Sequence, residues 1–337
     1  MVRIHHSSKS IFLFERCFFF RKGWKTLKDI DELKRYAAKN DVPIIQDEGC
    51  RFLISLIKEK QLYRILEIGT AIGYSASLFA QISPEVKVTT VELDLDRYLV
   101  AKQTFLDMNL LSQISLFNED ALAFHTDFEF DLIFIDASKA QYIKFFERFK
   151  ENLSQNGIIV SDNLSFHGLV ETPSLTKNYS TIKLIRKIKK YRAFLKLNPE
   201  FNTEFFSIGD GISVSKKNPS YEGLEFAESA RGHFTATKSS SVFGEIVLIR
   251  KKGSLYISDF KILKNDNDDK TNTILKTMLF FAAQKTMENG FHSLYVRERC
   301  GGLSAEDFIH LGFEKCVASV EKLHIQNASG QLLEFKI

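Results

Sequence analysis

The stretch Phe130–Asn163, FDLIFIDASKAQYIKFFERFKENLSQNGIIVSDN, decides the fold. Leu132–Ile135 and Gly157–Val160 are short apolar runs of the kind that form buried parallel strands. The amphipathic segment Tyr142–Glu151 between them reads as the crossover helix. Each run ends in oxygen-bearing side chains, Asp136 after the first and Asp162-Asn163 after the second. Parallel strands deliver such groups to one carboxyl edge, where ligands bind in open α/β sheets. Two carboxylates and an amide oxygen at that edge form a hard-oxygen nest suited to Mg²⁺ or Ca²⁺.

Outward from this stretch, strands and helices alternate. The pattern predicts helices over Leu27–Asn40 and Asp47–Lys58, a strand Arg64–Ile68, a glycine-bearing turn and a helix Ser75–Gln81. Strand Lys87–Val91, helix Asp96–Met108 and strand Ile114–Phe117 follow. After the central stretch come a loop (Gly168–Thr176), a helix (Ile182–Leu195) and a hairpin of Thr203–Ile208 with Ile212–Ser215 through Gly209-Asp210-Gly211. This alternation specifies an α/β fold with a Rossmann-like doubly wound sheet.

The 337 residues suggest two domains, and 44% hydrophobic content supports a sizeable core. The boundaries read as an N-terminal extension over 1–26, an α/β domain over 27–217, a linker over 218–225 and a smaller α+β domain over 226–337. In the last part, Gly244–Arg250 and Ser254–Lys261 read as a hairpin. Leu263–Thr271 reads as an acidic loop, Thr273–Asn289 as a helix, Ser293–Val296 as a strand and Ala305–Leu311 as a helix. A net charge of +4 does not by itself argue for nucleic acid. Cys17, Cys50, Cys300 and Cys316 have no CxxC spacing, which points to reduced thiols in a cytoplasmic protein rather than a disulfide framework or zinc site. Ile11–Phe20 is apolar but interrupted by Glu15 and Arg16, too short to span a membrane and without a cleavage site. It reads as an element that packs on the body or on a second subunit.

The turn after the first strand, Gly69-Thr70-Ala71-Ile72-Gly73, lets backbone approach a ligand at a helix N-terminus. Its spacing is not G-x-G-x-x-G. Glu92 ends the second strand and suits a ribose diol, and Asp120 follows the third.

The motifs ILEIGTAIGYSA (65–76), VELD (91–94), FIDASKAQY (134–142) and GIIVSDN (157–163) resemble the metal-dependent S-adenosylmethionine O-methyltransferases, the family of catechol and caffeoyl-CoA methyltransferases. Within it, YAAKNDVPII (36–45) and NPEFNTEFFSIGDGISVS (198–215) look like the bacterial tRNA 5-hydroxyuridine branch. The resemblance covers about Leu27–Lys217. It implies that Glu67, Gly69 and Ser75 line the methionine end of S-adenosylmethionine, that Glu92 takes the ribose, and that Asp120 lies on the adenine side. It implies Mg²⁺ or another divalent cation on Asp136, Asp162 and Asn163, with Asp136 also bordering the cofactor. It places Lys139 where catechol enzymes carry a catalytic lysine, acting beside Asp136. A solvated lysine at a helix start is the alternative for Lys139. The family also implies a homodimer.

Lys177–Lys196 carries eight basic residues and no acidic one. Lys183, Arg186, Lys187, Lys190 and Arg192 are candidates for tracking RNA phosphates, with Tyr179 and Tyr191 available to stack on a base. A solvated basic face is the alternative. With the branch resemblance, the run favours tRNA over a small phenol as the partner.

Beyond the linker, SLYISDFKI (254–262) and AEDFIHLGFEKC (305–316) resemble a GNAT acyltransferase fold over about Phe226–Cys316. The segment at the place of that family's pyrophosphate loop, Lys264–Thr271, has no glycine and three aspartates, which repel an anion. The expectation is a degenerate GNAT-like domain that does not bind acyl-CoA and serves RNA docking or subunit contact. An active acetyltransferase is the alternative, and an RNA-binding protein with a vestigial methyltransferase half is a third reading of the whole chain.

Overall fold

A computed structural model of the chain describes residues 29–221, 223–251, 254–263, 268–297, 300, 303–315 and 332–336. The N-terminal extension with Ile11–Phe20, and Lys264–Asn267 of the acidic segment, lie outside the described residues. Among the described residues no helix is long and apolar enough to cross a membrane.

Helices α1 (Ile30–Lys39) and α2 (Asp47–Lys60) precede the first sheet. The Asp29 side chain caps α1 by accepting the Glu32 N–H at 2.8 Å. The sheet is built from β1 (Arg64–Ile68), β2 (Lys87–Glu92), β3 (Ile114–Asn118), β4 (Phe130–Ile135), β5 (Leu153–Ser161), β6 (Phe201–Phe206) and β7 (Ile212–Lys217). Helices α3 (Tyr74–Ala80), α4 (Leu95–Asp107), α5 (Tyr142–Phe149) and α6 (Tyr179–Leu197) connect them. Strand order is β3-β2-β1-β4-β5-β7-β6. The first five strands are parallel, and β7 and β6 close the edge antiparallel. The order reverses between β1 and β4, and such a switch point opens a crevice at the strand ends.

One core lies on each face of this sheet. Leu53, Ile57, Phe79, Phe105 and Phe134 fill one side. Phe145, Phe146, Phe149, Ile188 and Tyr191 fill the other. Phe146 makes edge contacts with Tyr191, Phe194 and Phe201, with ring centroids 6.4, 5.4 and 4.9 Å away. Tyr191 is therefore core. Its hydroxyl bonds Ser161 Oγ at 2.7 Å, and it is not available to stack on a base as the sequence suggested.

The second sheet has order β13-β14-β12-β11-β10-β9-β8. Its strands are β8 (Glu225–Ala230), β9 (His233–Lys238), β10 (Ser241–Lys251), β11 (Ser254–Ile262), β12 (Ser293–Arg297), β13 (Glu314–Lys315) and β14 (Leu332–Lys336). Only β11 and β12 pair in parallel, joined by helix α7 (Asp268–Glu288); the short helix α8 (Ala305–His310) precedes β13. Sequence reading missed β8, β9, β13 and β14. β8 is largely solvent-facing, and in β9 only Phe234 and the small Ala236 turn to the core between polar residues, which is a weak alternation signal. The segment read as an acidic loop is already helical from Asp268.

Helix α6 belongs to both halves. Ile185, Ile188, Tyr191 and Leu195 join the core of the first sheet, while Leu197 and Ala193 pack into that of the second. Phe194 meets Phe280 of α7 with ring centroids 5.9 Å apart.

Candidate active site

A cleft of about 650 Å³ opens at the carboxyl ends of β1, β2, β4 and β5. Gly69, Ser75, Glu92, Asp120, Asp136, Lys139, Asp162 and Asn163 all line it. Residues drawn from sequence positions a hundred apart converge because parallel strands present the same end.

Gly69 has φ +99°, and a Cβ there would lie 2.5 Å from the Asp136 carbonyl oxygen. Only glycine lets the β1 turn pass so close to the end of β4. Gly73, with φ +85°, starts α3 against Phe105, where a Cβ would lie 2.6 Å from the ring. Beneath the turn, Glu67 is fully buried and accepts hydrogen bonds from Ser75 Oγ and, at 2.5 Å, from Thr90 Oγ1. Burial pushes its carboxyl up to about 7; the two hydroxyl donors oppose this, and the charge of Glu92 adds to it. Glu67 thus acts beneath the cleft and orients Ser75. The Glu92 carboxylate accepts the Ala71 and Asp94 N–H groups, both at 2.8 Å. Those bonds hold the acid at the cleft wall. Asp120 lies two residues past the end of β3 and accepts the Leu122 N–H at 2.9 Å.

Asp136, Asp162 and Asn163 meet at the cleft. Burial first, and then the charge of Asp162, hold the Asp136 carboxyl well above its ordinary range. Burial likewise pushes Asp162 up to about 6, against the opposing pull of Lys139. Asn163 has φ +65°, and its side-chain Oδ1 is buried without a hydrogen-bond partner. Two carboxylates, Asp162 buried and Asp136 partly so, and an orphaned amide oxygen are the kind of oxygen donors a hard divalent cation takes. Among the described residues no group of three or more His, Cys, Asp or Glu side chains is arranged for a metal. The trio is smaller than that in carboxylates and is completed by an amide. Lys139 opens a 3-10 turn beside the trio, with Nζ 5.8 Å from the Phe166 ring centroid.

Asp210 was read from the sequence only as part of a turn. It is buried, and its Oδ1 accepts the His167 N–H at 2.5 Å while Oδ2 lies 3.3 Å from His167 Nδ1. Ser165 N–H donates to the Asp210 carbonyl at 2.7 Å. The aspartate between two glycines anchors the loop that follows Asn163, and its charge raises the Asp162 pKa. The sequence showed only an aspartate flanked by glycines, which reads as an exposed turn. Asp131 pairs with Arg64 at 2.7 Å, at the opposite strand end from the cleft.

The RNA candidates Lys183, Arg186 and Lys187 are exposed, Lys190 is partly so, and Arg192 is paired with Glu171 at 2.6 Å. None of them lines the cleft. Exposed Tyr179 carries Lys183 Nζ 4.5 Å from its ring centroid.

Residues 24–218 match the family described as O-methyltransferase. The chain belongs to the S-adenosylmethionine-dependent O-methyltransferase family. Among its relatives, the caffeoyl-CoA O-methyltransferase of Populus kitakamiensis is 27% identical over 202 residues, covering 57% of this chain and 86% of that protein. The O-methyltransferase ankF of Aspergillus thermomutatus is 29% identical over 186 residues, covering 51% of this chain and 77% of its own. A Staphylococcus aureus structure, classed provisionally as a caffeoyl-CoA O-methyltransferase, is 31% identical with a TM-score of 0.55. It covers 63% of this chain and 100% of that chain. This methyltransferase match ends at Asn218, before the second sheet begins.

Proposed function

We propose that this O-methyltransferase uses a divalent cation, Mg²⁺ in the first place, to methylate a hydroxyl that has a second oxygen beside it, and that the substrate is 5-hydroxyuridine at the wobble position of tRNA. The buried, unpartnered Asn163 Oδ1, in the same cleft as the Asp136 and Asp162 carboxylates, carries the metal part of this reading. Asp136, Asp162 and Asn163 would hold the ion. An ion held there would supply Lewis-acid polarisation that lowers the pKa of the substrate hydroxyl. The protein's own groups do the rest. Gly69, Ser75, Glu92 and Asp120 would hold S-adenosylmethionine against the β1 turn, with Glu67 beneath Ser75, and Asp136 bordering both ligands. Lys139, as the neutral amine, would receive the hydroxyl proton as the O–C bond forms and the methyl–sulfur bond breaks, leaving S-adenosylhomocysteine. Holding nucleophile and methyl carbon in line supplies much of the rate.

The choice of RNA rests on the exposed cationic face of α6, which packs against the 3-10 turn of Lys139. A small catechol-type phenol is the second reading, favoured by relatives named for caffeoyl-CoA. Mass spectrometry of tRNA nucleosides from a deletion strain separates them. Loss of 5-methoxyuridine-type modification with accumulation of its hydroxylated precursor is expected, and an unchanged profile overturns the tRNA substrate.

The second sheet supports an acyltransferase-like fold through its one parallel pair bridged by α7. We assign it docking rather than acetyl transfer. Acetyl-CoA is therefore expected to give no thermal shift, and tight binding would reverse that assignment.

A further inference from the structure

The seam between the two halves contains a second cleft, of about 290 Å³. Lys189, Arg192 and Lys196 reach it from one side of α6, at positions i, i+3 and i+7. Lys336 of β14 and Gly312, just before β13, close it from the other half. Two carboxylates share the rim, and each already has a cation. Glu171 Oε1 lies 2.6 Å from Arg192 Nη1, and Glu314 Oε2 lies 3.0 Å from Lys336 Nζ. Lys189 and Lys196 have no ion pair among the described residues.

The Lys196 stem runs alongside the second half. Gly312 has φ +100°, and a Cβ there would come within 3.3 Å of Lys196 Cδ and 3.2 Å of the Phe335 ring. The glycine leaves the space through which the lysine stem crosses the seam. Partial burial of its stem, and then the neighbouring Arg192 charge, lower the Lys196 pKa, against the opposing pull of Glu314.

We propose that this seam cleft binds a phosphate group, and that the phosphate belongs to the backbone of an RNA whose base enters the methyl-transfer site. Two ammonium groups without an ion pair among the described residues, beside a guanidinium that Glu171 already engages, match a phosphate in charge. The backbone source follows from continuity. Lys183, Arg186, Lys187 and Lys190 extend the cationic surface along the same 19-residue helix, which spans about 28 Å at the standard rise. A free phosphate needs the cleft alone, whereas a polymer engages the whole length. The source therefore rests on the RNA reading above, while the phosphate chemistry does not.

The test uses the full chain with Lys189→Gln and Lys196→Gln combined, and Lys58→Gln with Lys60→Gln as a control. Circular dichroism and S-adenosylmethionine affinity verify that both variants fold. Two probes are applied: a labelled RNA stem-loop read by anisotropy at several salt concentrations, and inorganic pyrophosphate read by calorimetry. For RNA, the seam variant is expected to bind about five- to tenfold more weakly, with the slope of log K against log salt shallower by about one. The control should match the unmodified protein. If pyrophosphate binding depends on the two lysines but RNA binding does not, the cleft takes a small phosphate compound and the backbone source is overturned. If neither probe distinguishes the seam variant, the phosphate site itself is overturned. A protein that binds pyrophosphate through Lys189 and Lys196 yet never methylates RNA would keep the site and lose the tRNA substrate.

Discussion

Glu67 shows how one buried carboxyl ties stability to ligand binding. Its folded pKa, about 7, lies above its ordinary 4.5. A raised acid contributes stability that is complete below the unfolded pKa and is lost as pH rises through the folded one. The ligand-free protein should therefore melt lower at pH 8 than at pH 5 on this account. Glu67→Gln should raise the melting temperature at pH 8 by a few degrees and change little at pH 5. The same variant should bind S-adenosylmethionine about tenfold more weakly, since the carboxylate that orients Ser75 at the cleft is lost. Scanning calorimetry at both pH values and titration with the cofactor measure the two effects. At Lys139, methionine should lower kcat by roughly 10²–10⁴-fold while cofactor affinity stays within about twofold; an unchanged kcat removes it from the proton path. Asp162→Ala should abolish turnover, and EDTA should do the same to the unmodified enzyme until Mg²⁺ is restored. These residues were legible because chemistry and strand ends coincide in the sequence. Asp210 was not, because an aspartate between glycines reads as an exposed turn until the fold buries it beside the loop after Asn163.

The helix α6 explains both a success and a failure of reading by pattern. Its basic residues stand out in the sequence, and Lys183, Arg186 and Lys187 are indeed exposed. Tyr191 was grouped with them by proximity, although it lies on the same stripe as Ile188 and Leu195, three residues after one and four before the other. Helical period, not neighbourhood along the chain, decides which side chains face water. Reversing Lys183, Arg186 and Lys187 to glutamate should therefore spare the fold. It should weaken RNA binding by more than about tenfold and flatten the salt slope by about two, measured by anisotropy. Full retention of affinity would sink the proposed track. Phe146→Ala should act in the opposite way. Removing a ring enclosed by Tyr191, Phe194 and Phe201 should cost about 3–5 kcal/mol, read from denaturant unfolding, with no direct effect on RNA contacts.

Across the whole molecule, the parallel sheet was legible from its apolar runs, while β8, β9, β13 and β14 of the second sheet were not: β8 is mostly exposed and β13 is two exposed polar residues. The sequence also suggests two modules in series, divided by a linker over 218–225; in the structure 218–224 lies between β7 and β8. Packing divides the molecule differently. Helix α6 is encoded in the first module, yet Leu197 and Ala193 pack into the core of the second, and Phe194 faces Phe280 there. Asn218, the residue at which the family match ends, donates its side-chain amide to the Thr273 hydroxyl at 3.3 Å. A single protease cut in 218–224 would then part the chain without parting the protein. The two pieces should still elute together on gel filtration under native conditions and separate only in denaturant. Trimming the gene at the same place would be a different operation, because it strips the covering from one end of α6 instead of loosening a tether.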